Sequence, residues 1–149
     1  MSRTLALDYG ERRIGVAVSD PTRTIATRLP TLERRAGKRP PWPEIQRIIA
    51  ENEVDEAVIG LPLELSGEES AWTAEVRAFG AEVERRTNLP VHWMDERMTS
   101  IIAERNVRGS GLKKSQREEK GRIDAEAAAL ILEGYLRLRR NQAAQQAEP

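Results

Sequence analysis

The sequence predicts an α/β fold in which a three-stranded antiparallel meander continues into parallel strands, forming one mixed sheet with helices on its faces. Three observations carry that prediction. Leu5-Ala6-Leu7 and Ile14-Gly15-Val16-Ala17-Val18 flank a polar turn containing Gly10, which reads as a β-hairpin with a longer loop. Residues 57–61, Ala-Val-Ile-Gly-Leu, form a short continuous apolar run, as in a strand buried on both faces of a parallel sheet. Apolar stripes at helical spacing lie before and after that run.

Along the chain, Asp8 ends the first strand where the apolar run stops, at the lip of the core that Leu5 and Leu7 help to fill. Gly10 is expected to take the positive φ of a tight turn, and Gly15 leaves the second strand bare of side chain. An acid facing a bare strand leaves room for a metal ion or a phosphate; the plainer alternative is an Asp that starts a turn. Residues 24–29, rich in β-branched side chains, predict a third strand, followed by a charged, Pro-terminated loop over 33–41. Pro43 suits the first turn of a helix whose stripe is Ile45, Ile48 and Ile49, ending near Asn52. After the strand over 57–61, Ser66 and Glu69 are spaced as a capping box for a helix whose buried face is Trp72, Val76, Phe79 and Val83. Trp72 and Phe79 read as core residues. Residues 91–94 form the next strand, with Asp95-Glu96-Arg97 at its end. Thr99 or Ser100 can cap a short helix carrying Ile101, Ile102 and Val107. Gly109-Ser110-Gly111 opens a flexible polar loop to about residue 122, and a last helix starts near Ile123-Asp124. One domain over 1–140 is expected, with 141–149, rich in Ala and Gln, as a disordered tail.

Composition narrows the chemistry. Lys and Arg number 24 and Asp and Glu 24, so nucleic-acid binding would have to come from local patches, not net charge. With no Cys and one His, thiolate and His-rich metal sites are excluded. Any metal would be held by carboxylates, which favours Mg²⁺ or Mn²⁺. No apolar run approaches a membrane span and no signal-peptide core opens the chain, so a cytoplasmic protein with no membrane partner is expected.

Carboxylates recur at element ends: Asp8 after the first strand, Asp95 and Glu96 after the last, Asp124 at the start of the final helix. Ligands of open α/β sheets bind at the carboxyl ends of the strands, so acids remote in sequence can meet there. Two carboxylates about 4 Å apart repel by roughly 4 kcal/mol at an effective dielectric of about 20. A divalent cation reverses the sign of that interaction. Two such ions about 4 Å apart clamp the attacking water and the leaving oxygen of a phosphodiester, with no need for His or Cys. Alternatively, Asp124 is a helix N-cap and Asp95 and Glu96 pair with Arg97 at the surface. Strand alternation puts Asp95 and Glu96 on opposite faces, and the sequence does not say which looks at Asp8. His92 reads as a partly buried structural residue. Arg12 and Arg13 in the hairpin, and Lys113, Lys114, Lys120 and Arg122 ahead of Asp124, are candidate contacts to a phosphate backbone.

Four stretches, Asp8-Tyr-Gly-Glu-Arg-Arg-Ile-Gly-Val-Ala-Val-Ser-Asp20, Val58-Ile-Gly-Leu-Pro-Leu63, Asp95-Glu-Arg-Met-Thr-Ser100 and Ile123-Asp-Ala-Glu-Ala-Ala128, resemble in order and spacing the signature blocks of the YqgF family, also called RuvX. The resemblance implies a ribonuclease H-like fold, kin to the RuvC Holliday-junction resolvases. It also implies a nuclease acting at the 5′ end of small-subunit precursor rRNA in bacteria. Carried over residue by residue, the family's acids fall on Asp8, Glu96 or its neighbour Asp95, and Asp124. Glu64 stands where the family's loop commonly has Asn, and offers a further carboxylate as a candidate metal ligand.

The function expected is therefore metal-dependent cleavage of phosphodiesters by Asp8, Glu96 and Asp124, on structured RNA or on branched DNA, by a monomer or a homodimer. A dimer with paired sites would suit junction DNA, and a monomer RNA trimming. The competing class is a nucleic-acid-binding factor in transcription or ribosome assembly without catalysis. A third, an ATP-binding protein of the sugar-kinase and actin type, is disfavoured by the short chain.

Overall fold

The computed structural model describes residues 2–34, 39–98 and 114–147, with the backbone alone at 98, 114–125 and 147. Five strands, β1 (Arg3–Tyr9), β2 (Arg13–Ser19), β3 (Ala26–Glu33), β4 (Val54–Leu61) and β5 (Val91–Asp95), form one sheet in the order β3-β2-β1-β4-β5. β1 to β3 are the expected antiparallel meander; β4 lies parallel to β1, and β5 parallel to β4. Three helices complete the described chain: α1 (Trp42–Glu51), α2 (Ala71–Thr87) and α3 (Lys114–Ala147).

Strand alternation sorts the apolar residues into two cores. Leu5, Leu7, Val16, Val18 and Ile59 pack with Trp42 and Ile45 of α1 and Val76, Phe79 and Val83 of α2. Ala6, Ala17, Val58 and Met94, on the opposite face, pack with Ala127, Ala128, Ile131, Leu132 and Leu136 of α3. The second core is rich in alanine, so α3 can lie close to the sheet.

Several local expectations change. The third strand starts at Ala26 because the Asp20 carboxylate accepts the Thr24 and Ile25 amides at 2.7 and 2.8 Å and shapes those residues into a turn. β3 tolerates Pro30 because it is an edge strand, where a missing amide donor breaks no ladder between two strands. Gly10 is not among the residues with positive φ; it is needed for close approach, since a Cβ there would sit 2.7 Å from the Arg13 carbonyl oxygen. The α2 cap is not Ser66 with Glu69. Ser66 belongs to a turn in which the Gly67 amide donates to the Glu64 carbonyl at 2.8 Å, and Glu69 is held extended opposite Leu63. Ser70 caps instead: its Oγ accepts the Thr73 amide at 3.2 Å, while the Thr73 Oγ1 accepts the Ser70 amide at 3.0 Å.

The polar segment expected as loop to residue 122 is helical from Lys114, because Gln, Arg, Glu and Lys are strong helix formers and Gly121 is a single interruption. The same propensity carries the helix through Ala and Gln to Ala147, where a disordered tail was expected; residues 141–146 are fully on the surface. The short helix expected after Thr99 lies outside the described residues. The single-domain expectation stands as the sequence left it.

Candidate active site

β1, β4 and β5 run parallel, so their carboxyl ends lie together at one margin of the sheet. On β1, Asp8 follows Leu7 and shares the face of Ala6, the face covered by α3. Asp8 is only 4 % exposed. Across β1 and β2 its partner is Gly15, which carries no side chain. Toward β4, the ladder reaches Leu7 opposite Ile59, so Asp8 and Gly60 are the next residues of two strands about 4.8 Å apart.

Glu96 comes from the element after β5. The strand ends at Asp95, and a single 3₁₀ turn, Glu96–Met98, follows. Glu96 shares the face of Met94, in the alanine-rich core, and is 2 % exposed. Its side chain lies over Gly60: a Cβ at that glycine would stand 2.8 Å from Glu96 Oε1 and 2.5 Å from Ile131 Cδ1 of α3. The bare backbone at Gly60 thus makes the place where the Glu96 carboxylate rests, one strand from Asp8. In the sequence Gly60 is merely one member of an apolar run. The available signal was a glycine inside a buried strand, which marks close approach.

Asp95 takes the other side. Its carboxylate accepts from Arg97 Nη2 at 2.7 Å and from the Arg97 amide at 2.9 Å, and Arg97 Nη1 reaches the Leu65 carbonyl at 3.4 Å. The Arg97 hydrogen bonds, opposed by partial burial, hold the Asp95 carboxyl below its ordinary value. Of the two acids left open by the sequence, Glu96 lies on the face of Asp8, and Asp95 is engaged by its neighbour.

Position 124 of α3 lies one and two helical turns ahead of Ala128 and Ile131, both fully buried against the sheet. The side chains of Asp124, Lys114, Lys120 and Arg122, and the whole of Lys113, lie outside the described residues. Among the described residues no three His, Cys, Asp or Glu gather as a metal site. The described pair, Asp8 and Glu96, offers oxygen donors only. That donor set fits a hard divalent cation. Arg12 and Arg13 line a hollow of about 340 Å³ with Glu33 and Arg34 at the β1–β2 turn, beside the end of the strand that carries Asp8. Glu64 is exposed in the turn after β4, its amide donating to the Glu68 carbonyl at 2.9 Å.

At the amino ends of the same strands, on the same face, lies a cluster the sequence reading missed. Glu56 is 6 % exposed and accepts from Thr4 Oγ1 at 2.6 Å, Tyr135 OH at 3.3 Å and Arg139. Arg23 Nε is 3.5 Å from the same carboxylate and His92 Nε2 3.3 Å, with the His92 ring stacked on Tyr135. Burial and the nearby Glu56 charge push the Tyr135 hydroxyl up from its ordinary value. His92 therefore has structural contacts, as expected, but it is exposed where partial burial was expected.

Comparison with known proteins matches residues 2–138 to the family described as RuvX, Holliday junction resolvase. A protein of Maridesulfovibrio salexigens is 40 % identical over 134 residues, covering 90 % of this chain and 97 % of the relative. One of Koribacter versatilis is 45 % identical over 137 residues, covering 92 % and 88 %. Both carry the provisional name of pre-16S rRNA nuclease. Among solved structures, Thermus thermophilus RuvC in complex with a Holliday junction substrate superposes with a TM-score of 0.53 at 14 % identity, over 94 % of this chain and 96 % of that one. At that identity the likeness is one of fold, the ribonuclease H-like arrangement.

Proposed function

The chain belongs to the RuvX (YqgF) family, and from that premise we propose that it is a nuclease hydrolysing phosphodiester bonds, with precursor 16S rRNA as its substrate and 5′-end processing as its task. The observation that carries this reading is the convergence of Asp8 and Glu96, both buried, on one face at the carboxyl ends of parallel strands. Mg²⁺ or Mn²⁺, one ion or two, would be held by Asp8, Glu96 and Asp124. When bound, the cation supplies activation of the attacking water and neutralisation of the charge on the leaving oxygen.

The chain's own groups do the rest. Asp8 is fixed by a central strand and Glu96 by its seat on Gly60, so neither carboxylate has to be ordered at the moment of reaction. Arg12 and Arg13 border the site at the hairpin and hold backbone phosphates beside it. Lys113, Lys114, Lys120 and Arg122, ahead of Asp124 in the sequence, are further candidate phosphate contacts in this proposal. Asp95, engaged by Arg97, keeps the turn after β5 in place and thereby positions Glu96. The protein works in the cytoplasm; no helix among the described residues is long and apolar enough to cross a membrane.

A second reading, cleavage of a four-way DNA junction, is favoured by the family's own description. It requires a dimer with two sites related by a two-fold axis, whereas rRNA trimming works from a monomer. The test is a cleavage assay with Mg²⁺ and Mn²⁺ on precursor 16S rRNA, single-stranded RNA and a four-way junction, beside Asp8→Asn, Glu96→Gln and Asp124→Asn. Cleavage of precursor rRNA abolished by each substitution is expected. Cleavage surviving in the purified Asp8→Asn/Asp124→Asn double variant would overturn the site, and cleavage of the junction alone by a dimer would move the function to DNA.

A further inference from the structure

Tyr9 follows Asp8 in β1, so its side chain lies on the opposite face of the sheet, directly behind the acid. There a cleft of about 680 Å³ opens between the end of β1, α1 and α2, a size typical of ligand sites. Its wall is a ladder of rings. Phe79 stacks on Tyr9 with centroids 4.2 Å apart, Trp72 stacks on Tyr9 at 5.6 Å, and Trp42 stacks on Phe79 at 5.7 Å. Four of the chain's six aromatic residues are gathered here, and Trp93 packs elsewhere against the same core.

The sequence reading assigned Trp72 and Phe79 to the core. Phe79 is buried and Trp72 is partly buried against that core, as is Tyr9; all three also line the open cleft.

Charge distinguishes this cleft from a plain phosphate groove. Arg34 and Arg86 lie over the Tyr9 and Trp42 rings at 4.6 and 4.8 Å, and Glu11 and Glu75 line the same walls. Carboxylates repel phosphate but accept hydrogen bonds from the amino groups of nucleobases. Arg34 joins the cleft to the hollow of Arg12 and Arg13, which it also lines. Its Nη1 donates to the Gly10 carbonyl at 3.2 Å, while its Nε is buried and has no hydrogen-bond partner among the described residues.

We propose that this cleft is a base subsite: an unpaired nucleobase of the substrate strand, where the strand rounds the end of β1 from the acids to the opposite face, stacks on Trp72, the end member of the ring ladder. The Arg34 guanidinium, which lines both the cleft and the hollow, pairs with that nucleotide, and Arg12 and Arg13 hold its phosphates at the hairpin rim. Glu11 and Glu75 favour bases with amino donors over uracil. The proposal rests on the nuclease reading, and it adds recognition of a single-stranded flank that the acids alone do not supply.

The test is fluorescence titration of full-length Asp8→Asn protein, in which cleavage is blocked, with short single-stranded RNA, single-stranded DNA and blunt duplex. Stacking on an aromatic side chain contributes about 1–3 kcal/mol per base, so Trp72→Ala should weaken single-strand binding about tenfold and leave duplex binding unchanged. Trp72→Phe should restore most of the loss, and Arg34→Met, which keeps the stem without the guanidinium, should weaken binding independently of packing. Replacing one nucleotide by an abasic residue should remove the Trp72 effect. Equal single-strand affinity in Trp72→Ala and Arg34→Met, both shown folded by circular dichroism, would overturn the proposal. So would a loss that falls equally on duplex. If the wild-type protein fails to cleave while the Trp72 effect holds, the nuclease reading fails and the subsite stands. Cleavage without any Trp72 effect gives the reverse.

Discussion

The face of the sheet under α3 carries buried acids at both ends, arranged in opposite ways. At the amino ends of the strands one carboxylate, Glu56, is ringed by Arg23, Arg139, His92 and two hydroxyls. At the carboxyl ends two carboxylates, Asp8 and Glu96, are brought to within about a strand spacing of each other. The first arrangement ties β1, β4, β5 and α3 together through attraction. The second sets two buried carboxylates on one face, a donor set of oxygens that suits a hard divalent cation. One end of the face is thus organised to join elements, and the other to present acids for chemistry.

That contrast can be broken most sharply at Asp8. Asp8→Asn should lower the cleavage rate by 10²–10³-fold or more, on the scale of losing one preorganised electrostatic group. A variant that cleaves normally, or one that unfolds, would erase the distinction between the two ends. Gly60→Ala tests the same end sterically. Its Cβ would collide with Glu96 and Ile131, so a loss of about 1–3 kcal/mol in urea unfolding is expected together with lost activity. Next comes metal itself: Mg²⁺ at a hundred times its Kd should stabilise the wild type by about 2.7 kcal/mol and Asp8→Asn by much less, read as a shift in melting temperature that EDTA reverses.

The opposite end should respond in stability alone. Glu56→Gln leaves Arg139 and His92, both nearly half-exposed, without their carboxylate. Removing one partner of a fully buried pair costs 3–5 kcal/mol, and that exposure reduces the expected loss to about 1–3 kcal/mol. Cleavage per folded molecule at 25 °C should be retained. Smallest is Asp95. Its carboxyl is held below the ordinary value, so its contribution is complete above about pH 4 and is lost as pH falls through the lower folded value. Asp95→Asn should therefore cost about 0.5 kcal/mol at pH 7 and progressively less as the pH falls below about 4, measured by unfolding across that range.

The stable end was nearly invisible in the sequence, whereas the acids of the chemical end were named from it. Asp8 and Glu96 stand at the ends of apolar runs, where a charged residue is conspicuous. Glu56 sits just ahead of the run that announced β4, and its partner Arg139 is 83 residues away in the chain, a distance no local pattern bridges. Strand alternation could say that Asp95 and Glu96 diverge but not which way, because the choice depends on α3 covering one face. The meander and the parallel strands followed from apolar periodicity alone. Capping and helix starts were misjudged where several residues met the same local rule: Ser66 and Ser70 are both plausible caps, and only the turn at Gly67 separates them. The polar start of α3 read as loop because solvent-exposed helix and loop share composition.

Pro30 has a consequence beyond its own strand. β3 is one margin of the sheet, and there the proline interrupts the row of main-chain amides that would otherwise offer itself to a neighbouring molecule. Replacing that residue with valine would complete the amide row and give the molecule a template for its own aggregation.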